Sequence, residues 1–231
     1  MSGSQSKGKV KISHVIFDFD GILVDSEGLY SIMHGRMLAK WGKTFDLKQK
    51  LAIQGMRKQD EVYTIVKMNG LEGKVTIEEY ERDVKPMPGA DRLIRHLHKH
   101  KVPIAICTSS AADEFEIKTR KLKEWLDMIP LRILAGSDAR VKRGKPNPDP
   151  YLVCAKDMGV SDVSKCIVFE DSVNGCKSAL SAGMHCIMIP QDEFLCDASK
   201  AEIEGLRPKL DNILKSMADF KPEEFGLPAF D

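Results

Sequence analysis

Short apolar runs alternate along this chain with longer stretches of helical period. The runs SHVIFDF (13–19), PIAICTS (103–109), RILAG (132–136), CIVFED (166–171) and CIMIP (186–190) have the length and near-continuous hydrophobicity of strands buried on both faces. Between them, GADRLIRHLHKHK (89–101) sets Leu93, Ile94 and Leu97 on one helical face. EFEIKTRKLKEWL (114–126), PYLVCAKDMG (150–159) and VNGCKSALSAG (173–183) repeat the scheme. The alternation predicts βαβ units, and so an α/β fold with a doubly wound, mainly parallel sheet.

One interval breaks the rhythm. Residues 28–87 separate the first strand from the helix leading to the second, far longer than an ordinary βα connection. MHGRMLAKWG, DEVYTIVKMNG and TIEEYERDV within it read as helices, with Gly42 and Gly70 as stops. The expected organisation is a polar tail (1–11), a core made of 12–27 and 88–231, and an all-helical insertion (28–87). Ligands of open α/β sheets bind at the carboxyl ends of the strands, so an insertion after the first strand is expected to lie over such a site as a lid.

Composition narrows the function. With 42% hydrophobic and 30% charged residues, the chain has the makeup of an ordinary globular protein. Its formal net charge of +1 gives no footprint for nucleic acid, and no apolar run reaches the roughly 20 residues of a membrane helix. The six cysteines (107, 154, 166, 176, 186 and 196) form no CxxC pair or zinc spacing, and several sit in apolar runs. They read as reduced core thiols of a cytoplasmic protein. His96, His98 and His100 offer an i,i+4 pair, but stand among lysines and an arginine opposite Leu93 and Leu97, so a solvated helix face is expected.

Four polar clusters follow strands. Asp18 and Asp20 end the first, too early to cap a helix starting near Ser26. Thr108, Ser109 and Ser110 end the second, where hydroxyls and free N–H groups suit an anion or an N-cap equally. GKPNPDP (144–150) holds Lys145 between stiffening prolines, with Asp149 and Pro150 read as N-cap and first helical residue. Glu170 and Asp171 end the fourth strand, and Asp171 or Ser172 can cap the helix that follows. Two acidic pairs at strand ends make a hard-oxygen nest suited to Mg²⁺.

In this order the clusters resemble the motifs of the haloacid dehalogenase-like hydrolases, in the branch with a helical cap after the first motif. DFDGILVDSE, CTSS, GKPNPD and VFEDSVNG are similar to motifs one to four, and the likeness spans roughly 12–230. MPGADRLIRHLHKHKVPIAICTSS and FKPEEFGLP are further similar to the pseudouridine-5'-phosphatase group of that family. The resemblance implies a Mg²⁺-dependent phosphomonoester hydrolase in which Asp18 is the nucleophile and Asp20 the general acid and base. It implies Mg²⁺ on Asp18, the Asp20 carbonyl and Asp171, with Glu170 beside it as a direct or indirect partner. Thr108, Ser109 and Lys145 would bind the phosphoryl group, and Arg57 or Lys58 of the insertion the rest of the substrate.

Ile22 departs from the pattern, since many members place Thr there. Glycerol-3-phosphatase and β-phosphoglucomutase-like activities are the neighbouring alternatives. Tyr30 in place of the mutase histidine favours hydrolysis. A receiver-type phospho-acceptor is a distant alternative, because its acceptor lies on the third strand without an Asp two residues on. The expected partner is a small phosphate ester, with no nucleic acid and no membrane, and the chain is expected to be a monomer.

Overall fold

The computed structural model describes residues 11–25, 34–35, 37–53, 58–75, 85–120, 122–191 and 197–231. Arg57, Tyr30, Ser26, Cys196, the first ten residues and the segment TIEEYERDV lie outside them, as does the side chain of Lys58.

The chain divides into two compact units, Met1–Val24 with Pro86–Asp231, and Asp25–Lys85. The first unit is built on a six-stranded sheet: β1 (His14–Phe17), β2 (Ile104–Thr108), β3 (Leu131–Leu134), β4 (Cys166–Glu170), β5 (His185–Met188) and β6 (Asn212–Ile213). The order is β3-β2-β1-β4-β5-β6, every pair parallel, as the apolar runs predict. β6 is the one strand the pattern misses, because two residues on an edge have no periodicity to read.

The helices are α3 (Ala90–Lys99), α4 (Ala112–Thr119), α5 (Lys123–Leu126), α6 (Asp149–Asp157), α7 (Val173–Ser181) and α8 (Asp197–Leu206); α1 and α2 belong to the second unit. The expected single helix over 114–126 is thus two, α4 and α5. One face of the sheet carries Ile16, Cys107 and Val168 against Tyr151, Cys154 and Cys176. On the other, Phe17 stacks on Phe169 at 5.2 Å and Phe169 meets Phe220 edge-on at 4.9 Å. The alternation of Ile16 and Phe17 to opposite faces follows from the strand period of two.

Asp149 is not the N-cap of α6. Pro148 takes that position and Asp149 is the first helical residue, where its carboxylate accepts from the Arg143 backbone (3.2 Å) and guanidinium (3.0 Å). His96 is not on a solvated face either. It is buried, and its Nε2 lies 2.9 Å from the Pro228 carbonyl, because the segment after Gly226 returns across α3. The five cysteines among the described residues are free and buried. No helix among the described residues is long and apolar enough to cross a membrane.

The second unit has a core of its own, with Met37, Leu38, Ile53, Val62, Ile65, Val66 and Leu71 buried together. Among its described residues, helix is found at 34–35 and 37–39 and in α1 (Leu47–Ile53) and α2 (Lys58–Met68). Asp46 and Gln49 cap α1 reciprocally: the Gln49 N–H donates to Asp46 Oδ1 at 2.8 Å, and the Asp46 N–H to Gln49 Oε1 at 3.3 Å. In the first unit, the segments flanking the insertion meet in an isolated antiparallel bridge between Val24 and Pro86, the Met87 N–H donating to the Leu23 carbonyl at 2.9 Å.

Candidate active site

β1 and β4 are neighbours in register, Phe17 beside Phe169, and the chain winds away from β1 in opposite directions on its two sides. The carboxyl ends of such strands form the crevice where open α/β sheets bind ligands. Both acidic pairs open there. The Asp18 N–H donates to the Phe169 carbonyl at 2.9 Å, extending the ladder by one bond and fixing where the Asp18 side chain leaves the backbone.

Lys145 reaches this point from the loop between β3 and α6. That loop is held by the Asn147 N–H on the Gly144 carbonyl (3.0 Å) and the Ser178 hydroxyl on the Asn147 carbonyl (2.6 Å). The ammonium spends its donors on Asp18 Oδ1 (2.9 Å), Glu170 Oε1 (2.7 Å) and the Cys107 carbonyl (3.0 Å). Glu170 is wholly buried, and its oxygens also accept from the Tyr151 hydroxyl (2.5 Å) and the Ser172 hydroxyl (3.1 Å). Its geometry is that of an anchor for Lys145. Ser172 also caps α7, accepting from the Gly175 N–H at 3.0 Å.

One ammonium therefore serves two buried carboxylates. Burial, then the Glu170 charge, push the Asp18 carboxyl up to about 7 in spite of Lys145. For Lys145 burial pulls the other way, but Asp18 and Glu170 outweigh it and hold the amine above its ordinary value. Burial and Glu170 likewise raise Tyr151 well above the usual phenol, so it stays a donor to Glu170.

Asp20 lies two residues on, with its side chain 26% exposed. Its two carboxylate oxygens lie 2.7 and 2.9 Å from the Lys118 ammonium, and the Ser110 hydroxyl donates to one of them at 2.8 Å. Lys118 also reaches Ser110 Oγ at 3.0 Å. Ser110 thus serves Asp20, and the N-cap of α4 is Ala111. Thr108 is buried, its hydroxyl oxygen accepting from the Ser110 N–H at 3.1 Å, while Ser109 is exposed beside it.

The structure thus gathers Asp18, Asp20, Lys145 and Glu170 into two ion-paired groups, and adds Lys118, Ser110 and Tyr151, which the sequence reading does not single out. Tyr151 reads there as an apolar helix position, and Lys118 as one lysine of a basic run. Neither carries a local signal, since the partners lie 19 and 98 residues away.

Asp18, Glu170 and Asp171 each bring a carboxylate oxygen within 4.8 Å of the other two. An all-oxygen set around a carboxyl that its neighbours already push upward fits a hard divalent cation such as Mg²⁺. Two glycines make the room. Gly21 has φ 76, and a Cβ on it would stand 2.1 Å from Asp171 Oδ2. A Cβ on Gly175 would meet the Glu170 carboxyl at 1.9 Å. Ile22 between Gly21 and Leu23 is buried, so its side chain belongs to the core.

The family model described as haloacid dehalogenase-like hydrolase matches residues 15–189. A Drosophila melanogaster protein named probable pseudouridine-5'-phosphatase is 38% identical over 95% of this chain and 96% of its own. An Arabidopsis thaliana protein named (DL)-glycerol-3-phosphatase 1, mitochondrial, is 36% identical over 96% of this chain and 76% of its own. Among solved structures, a family IA, variant 3 hydrolase from Entamoeba histolytica superposes with a TM-score of 0.63 at 27% identity, covering 93% of this chain and 98% of that one.

Proposed function

Since this chain belongs to the haloacid dehalogenase-like hydrolases and is a phosphatase, we propose that it hydrolyses a nucleoside or sugar monophosphate, pseudouridine 5'-phosphate before others, through a phosphorylated Asp18. The observation that carries this reading is the pair of separately held carboxylates, Asp18 on Lys145 and Asp20 on Lys118. Two like groups in unlike settings can take unlike roles.

In this reading Asp18 Oδ attacks phosphorus, forming an O–P bond as the ester O–P bond breaks. Asp20 gives a proton to the departing alkoxide and later takes one from the water that cleaves the aspartyl-phosphate. Lys145 balances charge on the phosphoryl oxygens, and the Thr108 hydroxyl and Ser109 N–H donate to them. Asp18, Asp171 and the Asp20 carbonyl would hold Mg²⁺, with Glu170 beside them as the anchor of Lys145. The ion supplies a divalent charge against the carboxylates and the phosphoryl group. Selection among substrates is assigned to the inserted unit, with Arg57 or Lys58 touching the substrate. The buried thiols fit a cytoplasmic setting.

A phosphate-release screen tests the reading. Pseudouridine 5'-phosphate, other nucleoside monophosphates, sugar phosphates and glycerol 3-phosphate are offered with Mg²⁺ and with EDTA. Turnover is expected with Mg²⁺ alone, and the highest kcat/KM on pseudouridine 5'-phosphate. Undiminished rates in EDTA would overturn the metal role. Preference for glycerol 3-phosphate would move the substrate to the class of the Arabidopsis relative.

Lys118 is a positioning residue in this scheme, because it touches both oxygens of Asp20 and is itself 10% exposed. Lys118→Met is expected to lower kcat about tenfold or more on alkyl phosphates, within the range of acid–base assistance, and less on p-nitrophenyl phosphate, whose leaving group needs no proton. Lys118→Arg should recover part of the loss. Equal losses on both substrate types would remove the role.

A further inference from the structure

His96 on α3 and His100 at its C-cap stand four residues apart, with ring centroids 4.5 Å from each other. The segment after Gly226 crosses them. Phe230 packs on the His96 ring at 4.7 Å and is itself covered by the Arg92 guanidinium at 3.9 Å. This places Asp231 beside the pair, with Oδ1 3.7 Å from His100 Nε2. One ring nitrogen of each histidine and a carboxylate oxygen of Asp231 lie within 4.8 Å of one another. This cluster lies in the first unit and shares no residue with the ion-paired groups at the strand ends.

We propose that His96, His100 and Asp231 form a second metal site, selective for Zn²⁺ over Mg²⁺, which clasps the segment 226–231 to α3. Two imidazoles and one carboxylate are a borderline-soft donor set, unlike the all-oxygen set at Asp18. Histidines at i and i+4 of a helix face one cation together. The outer partners are also in place. A carbonyl only accepts, so His96 Nε2–H donates to Pro228 and leaves Nδ1 with the free lone pair. Lys99 holds the other oxygen of Asp231 at 2.5 Å, which orients the carboxylate and keeps it ionised.

A tetrahedral zinc ion, with bonds of about 2.0–2.1 Å, sets its ligand atoms about 3.3 Å apart. The His100–Asp231 distance of 3.7 Å is near that already, and both side chains are partly exposed and able to close the rest. The Lys99 charge weakens the site for any cation. It weighs most against Mg²⁺, which has no strong bond to imidazole to offset the repulsion. Three protein ligands leave a fourth position for water.

The test titrates Zn²⁺ into the EDTA-stripped protein of residues 1–231 resupplied with saturating Mg²⁺, read by competition with a chromophoric chelator. Wild type should bind one Zn²⁺ that His100→Ala and Asp231→Asn each weaken by about tenfold or more. Zn²⁺ should raise the wild-type Tm, and raise that of either variant less at the same concentration. Both variants should keep phosphatase activity, which shows that they fold. His98→Ala, an exposed neighbour outside the cluster, should bind as wild type does. Unchanged zinc affinity in His100→Ala and Asp231→Asn would overturn the site, as would an equal loss in His98→Ala.

Discussion

Asp18→Asn should lower Mg²⁺-dependent phosphate release by a factor of about 10⁴ or more, the scale on which removal of a nucleophile acts. The Asn side chain is close in size and still accepts from Lys145, so the loss is chemical and the fold survives. Steady-state kinetics decide this directly, because a wild-type rate in the variant leaves no role for Asp18 as nucleophile.

A second readout separates the charge from the chemistry. The Asp18 carboxyl sits at about 7 in the folded protein, against an ordinary 3.8. Folding therefore takes up a proton between these values. The contribution to stability is full below about pH 4 and is lost as pH rises through 7. In EDTA, wild type should lose stability relative to Asp18→Asn across that window, on the order of 1.4 kcal/mol per pH unit. Chemical denaturation from pH 4 to 8 measures the difference. Parallel curves would mean that the fold does not press on the Asp18 charge.

Lys145→Met should cost about 3–5 kcal/mol of stability near neutral pH, and should also remove most activity. The reason is what it leaves behind: Asp18 and Glu170, both buried, without the ammonium that lies 2.9 and 2.7 Å from them. Adding Glu170→Gln should recover part of the stability and none of the activity. The amide is neutral, and its oxygen still accepts from Tyr151. Urea midpoints of the single and double variants check this. A Lys145→Met midpoint equal to wild type would show that the ion group does not hold the fold.

The sheet was legible because parallel strands buried on both faces read as plain apolar runs, and five of the six did. The Asp18, Thr108 and Glu170 clusters stood out for a related reason: polar residues at the end of a buried strand contradict their surroundings, while Lys145 stood out by the prolines beside it on the loop after β3. What stayed hidden depends on distant contacts. Asp149 has a helix-capping sequence, yet Arg143 claims its carboxylate and Pro148 the cap position. His96 has polar neighbours in sequence, yet residues 228 and 230 bury it from more than 130 positions away. Lys118 and Tyr151 gain meaning only once α4 and α6 are packed. No periodicity records which lysine of a basic helix turns inward.

The hydrogen bond from Met87 to Leu23 has a consequence for how such a chain can change. The insertion leaves and rejoins the core at adjacent points, so to the core it is a closed loop of about 60 residues. Loop entropy grows only with the logarithm of length, and shortening this one to four residues alters closure by roughly 2 kcal/mol. The core is thus nearly indifferent to what the loop contains. A module of another length can stand at this position while the strand ends that hold Asp18 and Glu170 keep their register.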